Sequence, residues 1–339
     1  MAKKQENLSF QALKNSIREK NINSFYVFYG EEVFLLGYYL EQIKKLLIEE
    51  LTESFNFHRF NGETFDVQTF ADAVENLPMM ADRTMVLVED VDLFKLPEDA
   101  RNKMALLLSD VPDYCTVVFT YETVAWKPDK RYAKLYEAIS GNGNVVEFEK
   151  QNQRDLIAWI TRHFAAAKKN ISTDLCAYLI EITDGTMTAL SGEISKICAY
   201  SGADHVVKSD IDAVVEPVLD AVVFQMTELL SQDSYGPALI KLNQLFQLQE
   251  EPLSILGAVG SHFRRLATAR TLADNGKKVG DLIELTGIKE YAARKTMAAA
   301  NRFSSAFYAK AAELVLQPDV AIKTSLDEPE RLLEVLVME

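Results

Sequence analysis

Cysteine, histidine and tryptophan are scarce: three, four and two among 339 residues. Cys115, Cys176 and Cys198 are far apart and form no CxxC, so neither a zinc site nor a disulfide framework is signalled. Free buried thiols in a reducing compartment are expected. The four histidines, His58, His163, His205 and His262, have no partner at i+4 and read as surface or core residues rather than ligands or bases. GxSxG and HExxH are absent, which leaves no recognisable hydrolase motif. No apolar run approaches the ~18 residues of a membrane span. Behind Lys3 and Lys4 there is no apolar segment, so Met1 to Phe10 does not read as a signal peptide. A cytoplasmic protein without membrane contact is expected. Positive charge is also short: the net charge is −14, unsuited to coating nucleic acid unaided.

Apolar residues are plentiful, at 48%, and the length suits two or three domains. Phe25–Tyr29, Phe55–Phe60, Met85–Val88, Thr116–Thr120 and Val145–Phe148 read as strands. Helical patterns at 8–20, 33–51, 67–77, 97–108 and 130–139 lie before and between them. The alternation predicts a mostly parallel sheet with helices on both faces. After about residue 150 the strand signals stop. Helices are predicted over 154–167, 173–182, 187–200 and 209–215. Further helices are predicted over 221–231, 237–248, 252–274, 279–285, 289–299, 304–316 and 328–338. Pro237 and Pro252 suit first helical turns, and Gly276 a helix stop. The fold class is therefore α/β followed by all-α, with divisions near 148 and 216.

The first strand–turn–helix stands where a phosphate-binding loop would be, but reads Tyr29-Gly30-Glu31-Glu32-Val33-Phe34-Leu35. Such a loop needs several glycines, a lysine for the phosphates and a serine or threonine for Mg²⁺. The turn has one glycine and neither of the others. Glu31 and Glu32 read as acids that favour the helix N-terminus and repel phosphate. Glu89-Asp90, after an apolar strand, reads as an acidic turn rather than a metal site. No nucleotide, metal or other cofactor is expected on this chain.

Two segments carry other possibilities. Residues 262–302 hold nine basic and four acidic groups. Arg264, Arg265, Lys277, Lys278, Arg294 and Lys295 suit DNA or a neighbouring subunit equally as a solvated face. Residues 279–299 have a helix–turn–helix look around Thr286-Gly287. Leu77-Pro78-Met79-Met80 lies between a helix and a strand. Its methionines suit either a partner's pocket or the sheet edge.

Taken in order, several stretches resemble the delta subunit of the bacterial DNA polymerase III clamp loader. These are Phe25 to Leu35; Asp184-Gly185 with Leu190 to Lys196; Glu251 to Leu256 with Phe263-Arg264-Arg265-Leu266; and Asp319 to Thr324. The second resembles the family's NEIEKL helix, with Gly192 in place of Asn and Ile197 in place of Leu. The resemblance spans the chain. It implies an AAA+-like domain over 1–148 lacking a P-loop, a three-helix lid over 149–215 and a helical collar over 216–339. It implies no ATP hydrolysis by the chain itself, within a DNA-directed DNA polymerase (nucleotidyltransferase) holoenzyme. Its implied partners are the sliding clamp (beta subunit), whose interface it opens, the tau/gamma and delta-prime subunits, and primed DNA. Matched on Ala81-Asp82-Arg83, the clamp-contacting residues are Leu77, Met79 and Met80, with Met where some relatives have Leu and Phe. A sequence-specific DNA-binding protein using 279–299 and an atypical AAA+ ATPase are the alternatives.

Overall fold

The structure, a computed structural model, describes residues 8–230, 232–288, 290–324 and 328–338. Lys3 and Lys4, and Ser231 and Lys289 at the ends of two expected helices, lie outside the described residues. The chain forms two compact units, Met1–Gln151 and Asn152–Glu339.

The first unit contains, in order, α1 (Leu8–Glu19), β1 (Phe25–Tyr29), α2 (Val33–Leu47), α3 (Glu53–Asn56), β2 (Phe57–Asn61), α4 (Val67–Glu75), β3 (Thr84–Glu89), α5 (Glu98–Ser109), β4 (Cys115–Tyr121), α6 (Ala133–Asn142) and β5 (Asn144–Glu147). The five strands are parallel, in the order β2-β3-β4-β1-β5. Strand parity divides the core. Phe25, Val27, Val86, Val88, Val117 and Phe119 join one cluster with Phe70 of α4, Met104 of α5 and Leu135 of α6. Tyr26, Phe28, Met85, Leu87 and Val118 join the opposite cluster with Leu13 of α1 and Leu36 of α2. Burial on both faces explains the continuous apolar runs.

Several boundaries differ from the sequence expectation. The strand expected from Phe55 starts at Phe57, because Glu53–Asn56 closes a helical turn first. Helix α2 stops at Leu47, where Ile48 turns extended and buries its side chain. Helix α6 starts three residues late, after Asp129 has bonded the Arg131 N–H and side chain.

The turn after β1 is closed by the chain itself. Gly30 has φ 134°, and a Cβ there would lie 2.4 Å from the Phe148 carbonyl oxygen and 2.7 Å from its nitrogen. The Glu32 N–H donates to the Phe148 carbonyl at 2.9 Å, and the Phe148 N–H to the Tyr29 carbonyl at 2.7 Å. Backbone just past the end of β5 thus lies against Gly30 and takes the Glu32 N–H of the turn. Glu32 is the residue preceding α2, but its side chain is buried and makes no bond to the first-turn N–H groups, contrary to the capping role expected; Glu31 is exposed.

In the second unit, α7 (Gln153–Ala166), α8 (Thr173–Ile182), α9 (Met187–Tyr200) and α10 (Lys208–Val214) come first. Asn152, Ser172 and Thr186 each accept a first-turn N–H, which fixes three of these starts. Then follow α11 (Leu219–Leu230), α12 (Tyr235–Gln247), α13 (Pro252–Asp274), α14 (Val279–Thr286), α15 (Glu290–Ala300), α16 (Ser305–Thr324) and α17 (Pro329–Met338). Both prolines lie in first helical turns as expected, Pro252 as the first residue of α13 and Pro237 as the third of α12. Helix α13 is the spine: Ile255, Leu256 and Val259 serve one apolar cluster, Leu266 and Ala269 another. Helix α16 continues through Pro318 instead of ending at 316. Val315 before the proline and Ile322 after it pack on the same cluster, so the buried face carries the helix across. His262 of α13 is 4% exposed, edge-on to Phe224 at 5.3 Å. Burial, with a smaller push from Arg265, lowers its pKa to about 4. Cys115 and Cys176 are buried free thiols, while Cys198 is only half-buried.

Two outcomes are expected. Gly30→Ala destabilises the sheet unit by roughly 2–4 kcal/mol, because backbone rather than a side chain must move; urea unfolding measures it. For His262, the folded protein binds the proton more weakly than the unfolded chain. Its contribution is therefore intact above the ordinary value of 6.5 and is lost as pH falls towards about 4. The loss totals roughly 3 kcal/mol. Unfolding followed against pH shows this slope for the wild type and a flatter one for His262→Gln.

Candidate protein-binding loop

Helix α4 begins with Asp66 accepting the Thr69 N–H and ends at Glu75, two residues before the expected Leu77. Asn76 turns extended and Pro78 prevents resumption of the helix. The chain must then return to β3, whose Thr84 N–H donates to the Tyr114 carbonyl. The connection is tied at several points. The Tyr114 hydroxyl donates to the Glu75 carbonyl at 2.9 Å. The Arg83 guanidinium donates to the Ile22 carbonyl at 2.8 Å, across to the segment before β1. Between them, Asn56 brackets Met79: its Oδ1 accepts the Met79 N–H at 2.8 Å and its Nδ2 donates to the Met79 carbonyl at 2.9 Å.

These ties leave the apolar side chains outside. Leu77 is 72% exposed, Met79 56% and Met80 90%. Of the two readings open from the sequence, folding onto the sheet edge is not what the structure shows. Met80 also has φ 55°, a left-handed backbone that unbranched apolar residues seldom adopt. An exposed, strained, apolar tip on a fastened loop is costly for a chain alone, and such strain concentrates at binding sites. The sequence showed the three residues. It did not show Asn56, whose only signal is a polar residue next to an apolar run.

The other candidate chemistry is absorbed into structure. Glu89 takes a bidentate bond from Arg59. Burial pushes the Asp90 carboxyl up, but bonds from the Val124, Thr123 and Glu122 N–H groups and the Thr123 hydroxyl outweigh it, and the group sits below its ordinary value. Asp90 is thus a staple between the β3 and β4 loops. Burial, then repulsion from Asp90 and Glu89, raises Glu122. Among the described residues no group of three or more His, Cys, Asp or Glu could hold a metal, and no helix is long and apolar enough to cross a membrane.

The basic stretch is largely paired with its own acids. Arg265 lies 3.3 Å from Asp220, Lys277 4.0 Å from Asp281, and Arg294 2.6 Å from Glu290. Lys295 reaches Glu181 of α8 at 3.0 Å. Burial raises the Glu181 carboxyl, and Lys295 opposes that rise. Arg264 and Lys278 are exposed, with no ion pair among the described residues. The helix–turn–helix look is a hairpin of α14 and α15, turning at Gly287 with φ 68°. Its second helix buries Ala293, Thr296 and Ala300 and spends Lys295 inward. The structure therefore does not favour it as a recognition helix.

Comparison with known proteins agrees with this geometry. Residues 26–149 match the family model "DNA polymerase III, delta subunit", and residues 220–339 match "DNA polymerase III delta subunit, C-terminal domain". The chain is 22% identical over 331 residues to the Bacillus subtilis (strain 168) protein "DNA polymerase III subunit delta", covering 96% of this chain and 94% of that one. The solved Bacillus subtilis DNA clamp loader delta protein superposes with a TM-score of 0.59 at 19% identity, covering 97% and 98% of the two chains, and shares the fold. Two models of one subunit match in order and together span more than half of the chain, so the chain belongs to the DNA polymerase III delta-subunit family.

Proposed function

We propose that this clamp-loader delta subunit grips the sliding clamp through Leu77, Met79 and Met80 and favours its opening, so that the ring can be placed on primed DNA during replication. One observation carries the reading: Met80 stands 90% exposed, in a left-handed backbone, at the tip of a fastened loop. Burying one methionine in an apolar pocket contributes roughly 1.5–3 kcal/mol. Two anchors can thus carry much of a transient interface. Opening follows if the loop binds the sprung clamp more tightly than the closed one.

On this reading the chain is non-catalytic. Its turn at Gly30 is filled by Phe148, and ATP is bound by other subunits of the tau/gamma type, with delta-prime completing the assembly. Residues 1–148 form the clamp-contacting AAA+-like domain, 149–215 the lid and 216–339 the collar that meets other subunits, in the cytoplasm. Arg264 and Lys278, whose charges have no acidic partner among the described residues, are the collar's best candidates for a phosphate backbone.

Met79→Ala with Met80→Ala is expected to weaken binding of the full chain to the sliding clamp at least about tenfold, measured by calorimetry. Unchanged affinity removes the loop from the interface. Arg264→Ala with Lys278→Ala is expected to weaken DNA binding by the assembled loader. It should also make the salt dependence shallower by roughly two, one for each lost phosphate contact. Weakened subunit assembly with unchanged DNA binding would assign the pair to a subunit contact instead.

A further inference from the structure

Asn56 ends the four-residue helix α3 and is 0% exposed. Asparagine is mostly a surface residue, so its burial needs an account. The amide can make about four hydrogen bonds, and three are in place. Two go to one distant peptide unit, the N–H and carbonyl of Met79, at 2.8 and 2.9 Å. The third runs from Nδ2 to the Thr52 carbonyl at 3.2 Å and fixes the amide's own orientation. Asn56 therefore pairs with Met79 as a neighbouring strand would, from a helical turn 23 residues earlier. What the pair secures is the position of a single loop residue, the one before left-handed Met80. Met79 itself leaves its side chain 56% exposed, so core packing does not hold it there.

We propose that Asn56 is a positioning residue for clamp binding. It sets the Met79 backbone so that Met79 and Met80 stand already arranged for an apolar pocket, and the entropy of ordering the loop is lost on folding rather than on binding. The inference rests on the assignment of this loop as the clamp contact. It adds a residue that touches no partner and acts only through the loop.

Asn56→Asp is the sharpest probe. It keeps the volume and the acceptor for the Met79 N–H, but sets an oxygen against the Met79 and Thr52 carbonyls. Asn56→Ala removes all three bonds. Retained far-UV circular dichroism and retained assembly with the other loader subunits select folded protein. In the full chain both variants are expected to speed hydrogen exchange at the Met79 amide and to weaken clamp binding about tenfold. In a Met79→Ala/Met80→Ala background the same substitutions are expected to change clamp affinity no further, which a merely structural role would not produce. Wild-type affinity in a folded Asn56→Asp protein overturns the proposal, as does unchanged exchange at Met79. Equal losses with and without the methionines also overturn it. Failure of the loop assignment reads differently: Met79→Ala/Met80→Ala alone then leaves affinity intact, and the positioning role in clamp binding falls with it.

Discussion

The first unit depends on the backbone of Phe148 lying against Gly30. A side chain at position 30 would stand 2.4 Å from a peptide oxygen, so only glycine permits the approach. The approach lets β5 end beside β1 and sends a peptide N–H and carbonyl into the turn that precedes α2. The Phe148 ring lands among Phe10, Phe28 and Tyr39, so the same residue that closes the turn ties α1 and α2 to the sheet. In a phosphate-binding loop the N–H groups at this turn stay open for an anion. Here the Glu32 N–H is taken by Phe148. The turn is closed by the chain's own backbone, and it has neither the lysine nor the hydroxyl that a phosphate-binding loop needs.

The acids at the C-terminal end of β3 also take structural roles. Glu89 serves Arg59, and Asp90 gathers three N–H groups and a hydroxyl. Asp90 tolerates its left-handed backbone, φ 53°, because those bonds hold it. Met80 is the contrast. It has the same kind of backbone but an exposed apolar side chain. A position that costs free energy without repaying it inside the chain points outward.

Much of this was legible in the sequence because it is periodic. Continuous apolar runs gave β3 and β4, and helical stripes gave α2, α7 and α13. The reading failed where a local pattern was overruled by something distant. Phe55 looked like a strand residue, yet Glu53–Asn56 is a helical turn, from which the Asn56 side chain reaches Met79. Pro318 looked like a stop, yet Val315 and Ile322 share a buried face across it. Residues 279–299 had a helix–turn–helix look around Thr286-Gly287, but Lys295 of the second helix answers Glu181, 114 residues earlier. In the loop, Leu77, Met79 and Met80 could be named from composition. Whether they faced inward or outward could not, since that depends on Asn56, Arg83 and Tyr114 and on no pattern within the loop.

A fastened loop also bears on how binding can become opening. A ligand shifts an equilibrium only by its difference in affinity for the two states. If the methionine tip were on a slack chain, it would follow its pocket, bind closed and open clamps alike and shift nothing. Held to Ile22 through Arg83 and to α3 through Asn56, the tip has a fixed place relative to the sheet. On the reading proposed for this loop, a closed clamp whose pocket does not meet that place must deform or bind less tightly, and that difference in affinity drives opening. On the same reading, tip chemistry sets how strongly the clamp is held, while stiffness at Asn56 and Arg83 sets how much of that hold is converted into work on the ring.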